Sequence, residues 1–161
     1  MDNFTVELPT AKGPAVELSI WDTAGQEEYA RLRSLSYPGA DVFVCCFSIS
    51  SPASLEHVVR MWGPELRVNA PGVPILLCGL KTDLRDDPKT VEALAREAAV
   101  PVTALKGEAT AQEIKAHGYR ECSAMLKTGI QEVFQEAVEV ALRCMKTKKP
   151  AKKKKGGCCV Q

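Results

Sequence analysis

No stretch of this chain approaches the roughly 18 consecutive apolar residues of a membrane-spanning helix, so no such span is expected. Met1 opens no secretory signal. Disulfide pairing is missing as an organising device. The seven cysteines are an odd number, and Cys45, Cys46 and Cys78 sit inside apolar runs as buried free thiols would. That usage points to a reducing cytosol. Internal repeats are absent. Acidic residues are absent from Lys146 onward, where seven lysines stand: Lys146, Lys148, Lys149 and Lys152 through Lys155. The net charge of +1 therefore conceals a body, residues 1–145, at −6. A basic end on an acidic body seeks phosphate, on a membrane surface or on nucleic acid. No aromatic side chain interleaves with those lysines, which argues against nucleic acid.

What is present fits one domain and a tail: 161 residues, 45% hydrophobic and 25% charged, are enough for a single core. Phe4 to Leu8 and Val16 to Trp21 read as two strands joined by a turn containing Pro9, Lys12, Gly13 and Pro14. Val42 to Ser48 and Val73 to Leu80 are continuous apolar runs, as strands covered on both faces would be. Between them Leu55, Val58, Val59 and Trp62 recur at helical spacing. Arg85 to Ala116 is polar, favours helix, is interrupted by Pro101 and exceeds an ordinary connection. It reads as an inserted helix followed by the start of the next regular one. From Gly129 onward, Ile130, Val133, Phe134, Ala137, Val138, Ala141 and Leu142 form one stripe of a last helix. Strands alternating with helices predict an α/β fold, a mostly parallel sheet flanked by helices, with function in loops at the carboxyl ends of strands.

Those loops hold the unusual residues. Asp22-Thr23-Ala24-Gly25-Gln26-Glu27 follows the second strand. An acid at a strand end can hold a metal ion against phosphate oxygens, often through water. A glycine three residues on lets a backbone N–H approach a terminal phosphate that a Cβ would obstruct. A glutamine beside it can orient a water for in-line attack. Lys81-Thr82-Asp83 follows the Val73–Leu80 run. A carboxylate there can accept two parallel N–H bonds from a guanine edge, a pair that adenine does not offer. The Lys81 stem can lie along the base. Glu121-Cys122-Ser123-Ala124 reads as a small-residue loop whose N–H groups can meet a purine oxygen. A bare Asp-x-x-Gly, Lys-x-Asp or Ser-Ala is each more often a polar turn; the full six-residue string from Asp22 to Glu27 is specific by itself, and the three signals in this order are far stronger together.

The strings Trp21-Asp22-Thr23-Ala24-Gly25-Gln26-Glu27-Glu28-Tyr29, Arg31-Leu32-Arg33, Ser36-Tyr37-Pro38 and Trp62-Gly63-Pro64-Glu65-Leu66 resemble Rho-family small GTPases of the Ras superfamily. So do Val73-Pro74-Ile75-Leu76-Leu77 and the helical insertion after Leu84-Arg85, and the resemblance runs from about Asp2 to the last residue. It implies GTP/GDP and Mg2+ as ligands, with Asp22 beside the magnesium, Gly25 at the γ-phosphate and Gln26 as the residue positioning hydrolytic water. Lys81 and Asp83 would read guanine, Ser123 and Ala124 would complete the base pocket, and Ala24 and Leu84 would line the nucleotide. The implied partners are guanine-nucleotide exchange factors, GTPase-activating proteins, a guanine-nucleotide dissociation inhibitor that sheathes the prenyl group, and effectors. Several of these would touch Gly25 to Tyr37, the second switch.

Two departures stand out. The family has Asn or Thr directly before Lys-x-Asp, where this chain has Leu80. No Gly-x-x-x-x-Gly-Lys-Ser/Thr string occurs anywhere. The expectation is a small-GTPase G domain over residues 1–145 lacking its first strand, phosphate-binding loop and first helix, with a Rho-type helical insertion. Residues 146–161 would form a polybasic tail ending in a C-a-a-X box, Cys158-Cys159-Val160-Gln161, with Cys158 prenylated. One lipid anchors weakly, and the Lys152–Lys155 run supplies the second attraction, to an anionic membrane surface. The expected location is the cytoplasmic face of the plasma membrane or an endomembrane, with a cytosolic pool. A second reading keeps the tail but not the chemistry: a nucleotide-free, membrane-tethered interaction protein.

Overall fold

The polar–apolar alternation that opens the chain produces a hairpin. In the computed structural model, which describes residues 3–10, 13–23, 25 and 29–147, β1 (Asn3–Thr10) and β2 (Gly13–Trp21) pair antiparallel. The register runs from Asn3↔Trp21 to Leu8↔Val16 and shifts between Leu8 and Thr10. Pro9 sits in that irregularity, where a missing N–H costs no regular ladder bond. The turn is therefore shorter than predicted, since Pro9, Gly13 and Pro14 all lie within strands. Val16, Leu18 and Ile20 are half-buried, whereas Phe4, Val6 and Trp21 are exposed. A short helix, α1 (Ala30–Ser34), follows.

The other strands form a separate sheet. β3 (Phe43–Ser48), β4 (Ile75–Leu80) and β5 (Gly118–Cys122) run parallel in the order β3-β4-β5. Among the described residues no ladder joins this sheet to the hairpin. The β3–β4 connection is a helical run: α2 (Pro52–His57), a π-helical segment over Val58–Trp62 and α3 (Gly63–Asn69). Ser51 starts it by accepting the Ser54 N–H, with Pro52 in the first turn, where its missing donor is harmless. The β4–β5 connection holds a 3-10 turn (Thr82–Leu84), α4 (Pro88–Arg96) and α5 (Ala104–Glu113). The break expected at Pro101 falls between α4 and α5, and α5 is a complete helix capped by Thr103. The last helix, α6 (Ile130–Thr147), packs on β4 and β5 and also touches β1.

Strand periodicity sorts the core into two layers. Phe47, Ile49 and Leu77 face Leu55, Val58, Ala111 and Ile114 of the helical connections. Leu76 and Cys78 point the other way, against Val133 and Ala137 of α6. Each fully buried aliphatic side chain here contributes about 1.5–3 kcal/mol relative to exposure.

Two expectations need correction. The run Val42–Ser48 is not covered on both faces, and Cys46 is exposed rather than buried. The reason is the reach of α6, which lies over β4 and β5, leaving the outer strand β3 partly open. Glu121 and Cys122 do not form a loop: they end β5, in register with Gly79 and Leu80. That strand, Gly-Tyr-Arg-Glu-Cys, lacks the apolar run that marks β3 and β4, in keeping with its burial, since none of its residues is fully buried.

Candidate functional site

The parallel register brings two of the three sequence signals together. Leu80 pairs with Cys122, so the residues that follow each strand leave the sheet side by side. After Leu80, Lys81 adopts φ 63° and ψ 47°, a left-handed conformation costing a non-glycine residue about 1 kcal/mol or more. It turns the chain sharply into the Thr82–Leu84 turn, closed by Leu84 N–H to Lys81 O at 3.0 Å. Strain of this kind concentrates at functional sites. Lys81 is exposed, while Asp83 and Leu84 are half-buried.

After Cys122, Ser123 is fully buried and makes a two-way backbone bridge with Thr128, at 2.9 and 3.0 Å. Its hydroxyl donates to Asp83 Oδ1 and accepts the Leu126 N–H at 3.1 Å. Ser123 thus fixes one oxygen of the Asp83 carboxylate, joining the two loops, and Ala124 is exposed beside it. Gly129 closes the second loop at φ 73°, where a Cβ would come within 2.3 Å of Glu121 O. Only glycine satisfies both demands.

A clamp that sequence reasoning missed supports these loops. Arg85 binds Glu121 in a two-pronged pair, Nη1 to Oε2 at 2.9 Å and Nη2 to Oε1 at 2.7 Å, and its Nε donates to Val102 O at 3.1 Å. Tyr119 donates its hydroxyl to Glu121 Oε1 at 2.5 Å. Burial opposes ionisation of Glu121, but the bonds from Arg85 and Tyr119 outweigh it and hold the carboxyl below its ordinary range. The clamp ties the start of the helical insertion to β5, one residue from Cys122. The partner of an arginine 36 residues away has no periodic trace in a sequence.

Leu80, where the resembled family has a polar residue, is half-buried and packs against the cluster of Leu76, Cys78, Val133 and Ala137. Every buried side-chain nitrogen and oxygen among the described residues has a partner, so this replacement leaves none orphaned.

The phosphate side is less assembled. Asp22 follows β2 and is exposed, and its charge lies close enough to Cys46 to oppose ionisation of that thiol. A Cβ placed on Gly25 would meet nothing within 4 Å, so no protein contact requires glycine there. Ala24, Gln26 and Cys158 lie outside the described residues. The segment that follows is anchored by another missed cluster. Arg33, 6% exposed, grips Glu65 of α3 through Nε and Nη2, both at 3.0 Å, and lies 4.6 Å over the Trp62 ring. Tyr37 also donates to Glu65. The Arg33 bond holds the Glu65 carboxyl below its ordinary range, and burial, then the Glu65 bond, pushes the Tyr37 hydroxyl up to about 12.

No group of three His, Cys, Asp or Glu that could hold a metal occurs among the described residues. A cleft of about 530 Å³ between the helical connections is lined by Leu55, Val59, Val100 and Lys106 among others, and by none of the sequence-predicted site residues.

Comparison with known proteins bears on the same residues. A family model described as the Ras family matches residues 1–143. The GTP-binding protein RHO1 of Candida albicans is 51% identical to this chain over 153 residues, which are 95% of this chain and 76% of that protein.

Proposed function

Because the chain belongs to the Ras family, as a small GTPase of Rho type, we propose that its joined loops after β4 and β5 read guanine in a nucleotide-dependent signalling switch. The observation that supports this reading most is the Ser123 hydroxyl donated to Asp83 across two adjacent strand ends. It orients a carboxylate whose two oxygens match the paired N–H donors of guanine, while an adenine would leave them unpaired. Lys81, turned out by its left-handed backbone, would lie along the base. Leu84 and Ala124 would border it, with the Ala124 N–H toward the purine oxygen.

On the phosphate side, Asp22 would hold Mg2+ through water, an ion that accepts one carboxylate plus phosphate and water oxygens and would neutralise phosphate charge. Ala24 and Gly25 would approach the terminal phosphate with their backbone, and Gln26 would orient the attacking water. The sequence as given supplies no glycine-rich Lys-Ser/Thr loop, which in such enzymes meets several phosphate charges at once. Forgoing several charge-assisted bonds at about 1.5–3 kcal/mol each lowers affinity by many orders of magnitude.

The test is a fluorescent GDP titration in magnesium buffer of residues 1–161, beside a chimera carrying the phosphate-loop segment of the Candida relative. The chimera should bind GDP over ADP by roughly 10⁴-fold, and Asp83→Ala should erase most of that preference. Residues 1–161 alone should neither bind in the low micromolar range nor hydrolyse GTP; tight binding would contradict this. Equal affinity of the folded chimera for GDP and ADP would defeat the guanine reading and favour the nucleotide-free interaction protein.

We also propose that residues 1–145 form the switch body and 146–161 a membrane tether, prenylated at Cys158 and assisted by Lys152 through Lys155. This places the protein on a cytoplasmic membrane face, where exchange factors, GTPase-activating proteins, a dissociation inhibitor and effectors would reach residues 25–37. Imaging should show Cys158→Ser released from membranes; retention of that variant would refute the tether.

A further inference from the structure

Three cysteines gather on one face of the parallel sheet. Cys46 of β3 is the register partner of Cys78 of β4, and Cys78 Sγ is 3.9 Å from Cys122 Sγ of β5. Cys78 is buried against α6 with Leu76 and Val133, and Cys122 packs on the same cluster. Val44, two residues before Cys46 and so on the same strand face, joins that cluster too. The group has one open end, because α6 packs mainly on β4 and β5: Cys46 is exposed, Cys122 half-buried and Cys78 1% exposed. Cys45 alternates to the opposite, buried layer, where burial pushes its thiol up to about 12.

We propose that Cys46 is a hydroperoxide-reactive thiol, and that Cys78 resolves the oxidised product into a disulfide. Cys46 and Cys78 stand in register on neighbouring parallel strands about 4.8 Å apart, within the Cα separation of about 4.4–6.8 Å that a disulfide spans. The two thiols differ in access: Cys46 is open to a hydroperoxide and Cys78 is enclosed, so the first attack falls to Cys46.

The chemistry balances without a cofactor. The Cys46 thiolate sulfur attacks one oxygen of the hydroperoxide; the O–O bond breaks, the alcohol (water, for hydrogen peroxide) leaves with a solvent proton, and Cys46 becomes a sulfenic acid. The Cys78 sulfur then attacks the Cys46 sulfur; the S–O bond breaks, and hydroxide leaves as water with the Cys78 proton. Two thiols have lost two electrons and the peroxide has gained them.

The test treats the full chain with hydrogen peroxide, blocks remaining thiols with an alkylating agent and maps them by mass spectrometry. The expected product has lost two hydrogens, with Cys46 linked to Cys78 before Cys144, Cys158 or Cys159 is oxidised. Cys46→Ser should slow loss of the free Cys78 thiol by at least about tenfold, since the exposed thiolate governs the rate. Cys78→Val, which keeps the apolar layer filled, should leave Cys46 as a sulfenic acid trapped by a cyclic diketone. An unchanged rate of Cys78 oxidation in Cys46→Ser, no sulfenic acid in Cys78→Val, or equal reactivity of Cys144 would each overturn the proposal.

Discussion

The hairpin and the parallel sheet reverse the expected relation between strand length and burial. The hairpin has the longer strands, eight and nine residues, and not one of their described side chains is fully buried. The parallel strands have six, six and five residues, yet β4 is buried from Ile75 through Gly79. Both units satisfy their ladders; what differs is cover. Helices close both faces of β4, whereas the hairpin is touched by α6 through β1. A ladder exchanges water for a neighbouring strand at little net gain, so most of the stability comes from covering the faces. Strand pairing alone therefore does not make a core.

That comparison breaks most easily at Leu77, fully buried at the centre of β4. Leu77→Ala should lower the unfolding free energy by about 2–5 kcal/mol in urea titration, because the helices on both sides limit collapse into the cavity. A loss comparable to that of a hairpin substitution would show the two units to be equally loose. Next comes Glu65, which pairs Arg33 beneath the second-switch segment. Glu65→Ala should cost about 2–3 kcal/mol, less than a fully buried pair because Glu65 keeps some solvent contact.

The same pair gives a pH signature. Glu65 and Glu121 have folded-state pKa values below the ordinary 4.5. Their contribution is therefore complete above that value and lost as pH falls through the depressed ones. Tyr37 acts at the other end: its hydroxyl rises from 10.0 to about 12, so its contribution is present below pH 10 and lost between 10 and 12. Circular dichroism melts across pH should show both flanks, and Glu65→Gln should flatten them. Smaller still, Thr103→Ala removes the cap of α5 and should cost about 1 kcal/mol. Phe4→Ala, on the exposed hairpin, should stay within about 0.5 kcal/mol.

The buried unit was also the part most legible in the sequence. The runs around Cys45 and Leu77 announced β3 and β4, and the Val133–Ala137–Ala141 stripe announced α6, because each has a face or two closed off from water. Asp83 and Ser123 were legible as candidates because each follows a strand end, although their hydrogen bond was not. What escaped depends on register or long-range pairing. β5 has too mixed a composition to show a period, Arg85–Glu121 and Arg33–Glu65 join residues far apart in the chain, and the thiol cluster exists only once Cys46 is set beside Cys78. Cys46 was expected inside because its run is apolar. A run reports the strand's average surroundings, not the place where a covering helix ends.

The strand order β3-β4-β5 repeats the order of the chain. Each strand can therefore be laid on the edge left by the one before, with its own connecting helices already synthesised. Among the described residues no strand of this sheet must be threaded between two that have already paired, and β4 is closed in only when Gly118 to Cys122 arrives. The loops carrying Asp83 and Ser123 meet at that same moment, so in a protein emerging from the ribosome the proposed guanine-reading face is completed after the scaffold beneath it, with α6 left to seal the far side.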